Sequence, residues 1–367
     1  MSIELKNVTK IYDKRVLAVD NASFRIEEGE YACILGPSGC GKTTLLKLIA
    51  GLIEPTKGEI LIRGVPSEKV PPEDRGISMV FQNFAIFPHM DVYDNVAFGP
   101  RLQHLHEDEV EKRVEWALEL VHLEEKAEFM PDELSAPELQ RVGIARALAT
   151  RSQILLLDEP LGALDEKIQI EFRREIRHIV KQLGLTCVHI THNQEEAMEV
   201  ADKIILVRKG RIQQVGEPIE VYKKPKRPFV ANFLGETNFL SGTVMECNDP
   251  CARINIPALG DIYGRTNRHL VSGERALLSF RHEHLLPEQF YEEGDNVFEG
   301  IIRDSVFSGR FRMYELVLES RDIIESKTPI LIDPDYKIGD KAKFIVKRED
   351  IRVFKYPENL NEELALE

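Results

Sequence analysis

The chain has 367 residues, enough for two or three domains with substantial cores. Its 62 acidic residues outnumber its 48 basic ones, and the resulting formal net charge of -14 argues against a nucleic-acid partner held by phosphate contacts. The first residues, MSIELKNVTK, lack the basic start and apolar core of a signal peptide, and no apolar run approaches the roughly 20 residues that span a bilayer. We therefore expect an acidic, soluble protein of the cytosol.

Two short strands are predicted near the start of the chain, over residues 3–11 and 22–26. Tyr12 follows the first strand directly. An aromatic ring in that position could stack on a nucleotide base, or it could be a half-buried residue at a strand end. The interpretation of Tyr12 therefore depends on the residues that follow.

The stretch 31–51 carries the most informative pattern. An apolar run with strand character leads into the glycine-rich segment 36–43, GPSGCGKT, and a helical pattern follows. Its glycines permit positive φ, so successive backbone N–H groups can point into one concavity at the positive end of the helix dipole. Lys42 would reach the β- and γ-phosphates, and the Thr43 hydroxyl would complete a Mg²⁺ shell. This context predicts a phosphate-binding loop.

Residues 54–81 alternate short apolar strands, at 59–62 and 77–81, with turns rich in proline, glycine and charge. We predict a small antiparallel layer there. Gln82 ends the last of these strands, and one glutamine alone indicates nothing. Farther on, apolar residues on one face predict a helix over 107–123.

A second group of motifs begins at 134–138, Leu-Ser-Ala-Pro-Glu, which introduces a helix. Residues 154–160, ILLLDEP, are typical of a fully buried strand that ends in two carboxylates. Asp158 can bind Mg²⁺ directly or through water, and Glu159 can polarise the water that attacks a γ-phosphate.

A helix is predicted over 166–183, ending at Gly184, and a strand over 186–191 then leads to His192. In a parallel sheet, the phosphate loop, the two carboxylates and His192 would all emerge at the carboxyl ends of strands. Such sheets bind their ligands at that edge.

After Gly235 the pattern changes to short strands and turns, with a weak repeat between 273–285 and 339–351. We predict a pair of small barrels that share strands. The expected domains are 1–235 and 236–356, followed by a frayed acidic tail at 357–367.

The order, spacing and residue types of these motifs resemble the ATPase subunit of an ATP-binding cassette (ABC) importer over nearly the whole chain. The matching features are the phosphate loop, Gln82, the signature Leu134-Ser135, the strand ending Asp158-Glu159, the loop 161–165 and His192. The resemblance implies an α/β P-loop NTPase with a RecA-like core, an antiparallel β layer and a helical subdomain. Segments 236–239 and 280–285 resemble the C-terminal oligonucleotide-fold (TOBE-like) regulatory domain of sugar, iron and polyamine importers.

The same resemblance implies how such a chain works. Two copies form a head-to-tail homodimer that closes over two ATP molecules with Mg²⁺, and closure drives two transmembrane permease subunits and, indirectly, a substrate-binding protein. The chain would then lie peripherally on the cytoplasmic side of the membrane, with no nucleic-acid partner. The transported substrate stays open.

The resemblance also assigns residues to roles. Glu159 and His192 are the catalytic residues, and His192 holds the γ-phosphate. Tyr12 stacks on adenine, Gln82 contacts Mg²⁺ and senses the membrane subunit, and Asp165 bridges the subunits. The nucleotide-binding set is Tyr12, Gly36, Pro37, Ser38, Gly39, Cys40, Gly41, Lys42, Thr43, Thr44, Gln82, Ser135 and Asp165, and the metal set is Thr43, Gln82 and Asp158.

One departure concerns the signature, where the family usually has Leu-Ser-Gly-Gly-Gln. Pro137 replaces the second glycine and has no N–H to donate to the γ-phosphate. Losing one charge-assisted hydrogen bond, worth roughly 1.5 to 3 kcal/mol, predicts slower hydrolysis, and we expect the charge of Glu138 to act in the same direction. Ser135 and Glu138 have capping-box spacing, so the helix should persist.

Three functions are compatible with parts of this pattern. A P-loop kinase or GTPase shares only the first motif and lacks the acidic pair followed by a histidine. A weakly hydrolysing regulatory or structural subunit is favoured by Pro137. The presence of Lys42, Glu159 and His192 favours an active ATPase.

Overall fold

The computed structural model describes residues 2–67, 70–162 and 165–366. The chain divides into two compact units, Met1–Ile219 and Glu220–Glu367. This boundary precedes the one predicted after Gly235. The reason is that the intervening segment belongs to the second unit, where Ala231 packs in a small core with Leu277 and Phe354.

An antiparallel sheet opens the first unit. Its strands are β1 (Ile3–Tyr12), β2 (Val16–Ile26), β4 (Lys57–Ile62) and β5 (Val65–Pro66), in the order β2-β1-β4-β5. The inward side chains of β1, β2 and β4 join a buried core with the helix that follows the glycine-rich loop. An antiparallel layer that contains the predicted strand at 59–62 is therefore present.

A six-stranded sheet lies at the centre of the first unit. Its strands are β3 (Tyr31–Leu35), β6 (Ile77–Val80), β7 (Ile154–Asp158), β8 (Thr186–Thr191), β9 (Lys203–Arg208) and β10 (Arg211–Gly216), in the order β10-β9-β3-β8-β7-β6. All neighbouring pairs are parallel except β9 with β10. β3, β7 and β8 are buried throughout, which explains their continuous apolar runs.

The placement of β6 corrects one prediction. We expected this segment in the antiparallel layer, but it pairs in parallel with β7 and forms an edge of the central sheet. Four residues with two buried positions indicate a strand without indicating its partner, because partner choice depends on contacts far along the chain.

The helices are α1 (Lys42–Ala50), α2 (Val92–Leu102), α3 (Glu107–Leu120), α4 (Ala136–Ala149), α5 (Glu166–Gln182), α6 (Gln194–Val200), α7 (Pro218–Lys223), α8 (Pro228–Phe233) and α9 (Leu360–Leu364). α2, α3 and α4 pack on one another as a helical layer. The predicted helices at 107–123 and 166–183 are present as α3 and α5, and each ends slightly earlier than predicted.

The second unit contains a closed five-stranded barrel and a five-stranded sheet around one shared core. The barrel order is β11 (Thr237–Asn248), β12 (Cys251–Ile256), β13 (Gly260–Arg265), β20 (Arg352–Lys355) and β14 (Arg275–Arg281). The sheet order is β15 (Leu286–Pro287), β19 (Lys341–Val346), β16 (Asn296–Phe307), β17 (Phe311–Leu318) and β18 (Ile323–Pro329). Only one of the two predicted barrels is closed.

Two further predictions for this unit have clear outcomes. The repeat is confirmed, because β14 and β19 are each followed by a short 3₁₀ helix, at His282–His284 and Arg348–Asp350. The tail is not wholly frayed: it contains α9, which packs on α8, and the Leu364 carbonyl accepts a hydrogen bond from Asn232 at 2.8 Å. The apolar positions among the acidic residues of the tail account for this contact.

Candidate nucleotide-binding site

The motifs predicted to bind nucleotide leave one edge of the central sheet. β3, β8, β7 and β6 lie side by side in that order. Their last residues are level: Leu35 pairs with Thr191, and Asp158 with Ile190. The glycine-rich loop, His192, the acidic pair and the segment containing Gln82 therefore follow adjacent strands at their carboxyl ends, where parallel sheets bind ligands.

The glycine-rich loop presents a bare helix N-terminus. The N-cap of α1 is Gly41 at φ 106°, with no side-chain cap and no acidic residue in the first turn. A Cβ on Gly41 would lie 2.4 Å from the Ala18 carbonyl oxygen, and one on Gly36 would lie 2.2 Å from that of Val207. Packing therefore requires glycine at both positions. The first N–H groups of the helix have no intrahelical acceptor and can bind an anion.

Lys42 lies inside this loop. Its side chain is buried, and Nζ donates to the carbonyl oxygens of Gly36 at 2.8 Å and Pro37 at 2.9 Å. Ser38, Gly39 and Thr43 are exposed around it, and Thr44 is half-buried. The Cys40 thiol instead faces the core, where burial raises its pKa, so Cys40 presents only its backbone to a ligand.

The acidic pair ends β7 and has unusual backbone geometry. Asp158 is buried, and its pKa is raised by burial and then by the charge of Glu159, while Lys47 and Lys42 lower it. Glu159 has φ 45°, a left-handed conformation that non-glycine residues rarely adopt. Its N–H donates to the Ile190 carbonyl at 3.1 Å, which fixes this strained residue against β8.

His192 lies beside Glu159. Its Nδ1 is 3.4 Å from Glu159 Oε2, and the imidazole is largely exposed. Asn193, the next residue, caps α6: its Oδ1 accepts the Glu196 N–H at 3.0 Å. An asparagine is among the best residues for such a cap, so Asn193 stabilises the start of this helix.

Gln82 is exposed in a strained loop that is tied to α4. Phe84 and Ala85 both have positive φ, at 54° and 49°. Arg146 donates to the Phe84 carbonyl at 2.6 Å and to the Ala85 carbonyl at 2.7 Å, and burial lowers the pKa of its guanidinium. Sequence reasoning missed Arg146, because it lies 61 and 62 residues from its acceptors and belongs to no motif.

The signature region corrects the expectation about Glu138. Ser135 precedes α4, and its N–H and hydroxyl both donate to Glu138 Oε2, at 2.8 and 2.7 Å. Lys126 pairs with Oε1 of the same carboxylate. The Lys126 ammonium and the Ser135 donors hold the Glu138 pKa at about 2. The charge that we expected to oppose a phosphate is therefore paired with a lysine.

Asp165 has a local contact in the structure. Its side chain caps α5 by accepting the Ile168 N–H at 3.1 Å. Residues 163 and 164 of the predicted loop lie outside the described residues. The described part of the loop is tied from two sides: Gln169 donates to the Leu161 carbonyl at 3.1 Å, and Gln140 of α4 donates to the Pro160 carbonyl.

Tyr12 ends β1 at the turn into β2. It pairs with Val16 in register, and Lys10 Nζ lies 5.3 Å from its ring centroid. Val16 and Leu17 are exposed apolar residues. Ala18, the next residue, packs against Gly41 of the loop, so this apolar turn is adjacent to the phosphate-binding segment. The exposed apolar pair is a signal that sequence reasoning did not use.

Comparison with known proteins identifies the family. Residues 19–162 match the family described as ABC transporter. The chain is 40% identical over 326 residues, 88% of both chains, to the spermidine/putrescine import ATP-binding protein PotA of Thermotoga maritima. It is 49% identical over 247 residues, 67% of both chains, to the protein of that name from Lawsonia intracellularis. The chain belongs to the ATPase subunits of ABC transporters.

Solved structures agree with this assignment. The dimeric structure of MJ0796, a bacterial ABC transporter cassette, matches with a TM-score of 0.54 and 33% identity over 59% of this chain and 98% of that chain. A post-hydrolysis form of that cassette bound to ADP and Pi matches with a TM-score of 0.53 and 32% identity, over the same shares of the two chains.

The site geometry agrees with an ABC ATPase that binds and hydrolyses ATP to energise transport. The uncapped α1 terminus and Lys42 offer positive potential to phosphates, and the Glu159 carboxylate lies next to His192. In the part of the chain that the structure describes, no helix has the length and apolar content needed to cross a bilayer.

Proposed function

We propose that this ABC ATPase energises an import complex as a head-to-tail homodimer that closes over two ATP molecules. The observation that carries this proposal is the convergence of the glycine-rich loop, the acidic pair and His192 at one sheet edge, with His192 Nδ1 3.4 Å from Glu159 Oε2. In this arrangement each ATP lies between the phosphate loop of one subunit and the Ser135 signature of the other. The dimeric cassette among the structural matches supports such an assembly.

The side chains divide the chemistry among them. Glu159 takes the proton of the attacking water, and His192 donates to the γ-phosphate and holds Glu159 in place. Tyr12 and the apolar turn beside it receive the adenine. Asp165 serves the subunit contact in addition to capping α5.

Asp158, Thr43 and Gln82 supply hard oxygen ligands, which suit Mg²⁺. Burial and the Glu159 charge raise the pKa of Asp158, so a divalent cation there relieves an electrostatic cost that the protein alone leaves in place. When bound, Mg²⁺ neutralises the charge that develops on the phosphates.

The partners are two membrane-spanning permease subunits and, through them, a substrate-binding protein. The loop at residues 82–85, here called the glutamine loop, supports this assignment. Its strained residues Phe84 and Ala85 are held by Arg146, and such an element can change conformation when a neighbour binds. By this proposal the chain is attached peripherally to the cytoplasmic face of the membrane, and the oligonucleotide-fold unit regulates or extends the dimer. The relatives named as spermidine/putrescine importers favour a polyamine cargo.

Reconstitution tests the proposal. The chain is co-expressed with candidate permease subunits, placed in proteoliposomes with a candidate substrate-binding protein, and assayed for ATP hydrolysis and uptake of radiolabelled spermidine, putrescine, ferric ion and sulfate. We expect polyamine uptake that requires ATP and is lost in Lys42→Ala. A chain that binds ATP and assembles with the permeases but hydrolyses no faster in their presence would favour the weakly hydrolysing regulatory subunit.

A further inference from the structure

Behind the candidate catalytic edge lies a buried polar chain made by Tyr31, His189, Glu196 and Thr191. All four side chains are buried: Tyr31 begins β3, His189 and Thr191 belong to β8, and Glu196 lies in the first turn of α6. Burying a carboxylate is costly unless it is hydrogen-bonded, and an apolar residue of similar size would fill this space at less cost. Packing alone therefore does not account for these four buried polar side chains.

His189 lies between Tyr31 and Glu196 in this chain. The Tyr31 hydroxyl lies 3.0 Å from His189 Nδ1, and His189 Nε2 lies 3.4 Å from Glu196 Oε1. Burial lowers the pKa of His189, which favours the neutral form of the ring. The Tyr31 hydroxyl is thus within hydrogen-bond distance of Nδ1, whereas Nε2 and Glu196 Oε1 are close neighbours that make no hydrogen bond among the described residues.

The other carboxylate oxygen holds the backbone on both sides of His192. Thr191 Oγ1 donates to Glu196 Oε2 and accepts the Asn193 N–H at 3.0 Å. Asn193 in turn accepts the Glu196 N–H at 3.0 Å. His192 therefore lies between Thr191 and Asn193, and each of these neighbours is hydrogen-bonded to Glu196.

We propose that Glu196 is a positioning residue for ATP hydrolysis: packed beside His189, its carboxylate fixes Thr191 and Asn193 and thereby sets the direction of the His192 imidazole toward Glu159. This inference rests on the roles proposed for His192 and Glu159. It adds a residue that touches neither nucleotide nor water and acts through the backbone.

The expected effect lies in turnover and not in ATP binding. The phosphate loop and α1 follow β3, so ATP binding there does not depend on the Thr191 hydroxyl. Hydrolysis does, because a displaced His192 imidazole loses its alignment with Glu159. Small misalignments of reacting groups reduce rates up to about a hundredfold. We therefore expect kcat to fall ten- to a hundredfold while KM for ATP changes less than about twofold.

The full-length chain with ATP and Mg²⁺ serves for the test. The variants are Glu196→Gln, Thr191→Val, Thr191→Ser, the double variant Glu196→Gln/Thr191→Val and His192→Gln. Glu195→Gln is the matched control, because it removes the same charge from an exposed neighbour on α6. Thermal midpoints are recorded for every variant, and if Glu196→Gln does not fold, the Thr191 pair carries the test.

We expect Glu196→Gln and Thr191→Val to lose turnover equally, their double variant to lose no more than either, and Thr191→Ser and Glu195→Gln to match the wild type. Suppose that His192→Gln loses turnover but Glu196→Gln keeps the wild-type kcat. That result would overturn this inference and leave the role of His192 intact. If Glu196→Gln does not fold, Thr191→Val takes its place in this comparison. Retained turnover in His192→Gln would overturn the proposed role of His192, and the inference with it.

Discussion

The Glu138 carboxylate accepts hydrogen bonds from the Ser135 hydroxyl at 2.7 Å and from the Ser135 N–H at 2.8 Å. Both polar groups at the signature are therefore engaged within the same subunit. The γ-phosphate of an ATP bound to a second subunit would therefore have to share the two Ser135 donors with Glu138 or accept a hydrogen bond from a different group. Pro137, the second residue of α4, supplies none.

Replacing Pro137 with glycine tests whether that missing donor limits turnover. An N–H in the first helical turn has no intrahelical acceptor, so it is available to a phosphate. The gain from one bond to a charged group exceeds the glycine cost of about 1 kcal/mol, and we expect ATPase activity to rise about two- to thirtyfold. Steady-state hydrolysis at matched protein concentration measures this, with Ala136→Gly as the control. An unchanged rate would mean that Ser135 and the helix terminus suffice.

The pairing of Lys126 with Glu138 predicts opposite effects for the two partners. Lys126→Met leaves a bare carboxylate at the signature, so ATP-driven dimerisation should weaken about three- to tenfold. Glu138→Gln should leave it unchanged or stronger, and the double variant should behave like Glu138→Gln alone. Analytical ultracentrifugation with ATP measures the dimer constant. Lys112→Met, on the exposed face of α3, is the control, and an equal loss there would refute a specific effect.

The depressed pKa of Glu138 predicts an acid-dependent stability. A carboxyl whose folded pKa of about 2 lies below its ordinary value of 4.5 stabilises the fold above pH 4.5 and loses that contribution as pH falls toward 2. The difference in thermal midpoint between the wild type and Glu138→Gln should therefore be constant from pH 7 to 5 and shrink below 4.5. Calorimetry across this range measures it. A constant difference down to pH 2.5 would contradict the pairing.

The contacts of Arg146 with the glutamine loop predict that replacing it affects permease-stimulated ATPase activity more than basal ATPase activity. Lysine cannot bridge the Phe84 and Ala85 carbonyls as a guanidinium does, so Arg146→Lys should loosen the glutamine loop while the phosphate loop stays intact. We expect permease-stimulated ATPase to fall about tenfold and basal ATPase less than twofold. Arg174→Lys, at an exposed site on α5, is the control. Equal losses in both activities would assign Arg146 to general stability.

Sequence reasoning could place several motifs at the ends of apolar strands, as with His192 after β8 and the acidic pair at the end of β7. It could not locate contacts that join distant segments. Lys126 with Glu138, Arg146 with the glutamine loop and β6 with β7 all depend on packing between elements, which local patterns do not encode. The boundary at Ile219 differs from the predicted one for the same reason. Helix α8 belongs to the second unit because Ala231 packs against Leu277 and Phe354, which are distant in sequence.

Glu159→Gln removes the side chain to which we assign the proton of the attacking water. The amide keeps the size of the side chain and all phosphate contacts but cannot take a proton from water. Size-exclusion chromatography with light scattering, run with ATP and Mg²⁺, together with a hydrolysis assay, gives the answer. We predict a stable ATP-bound dimer whose hydrolysis is at least about a hundredfold slower than that of the wild type. A variant that stays monomeric with ATP, or that hydrolyses ATP at the wild-type rate, would contradict the account.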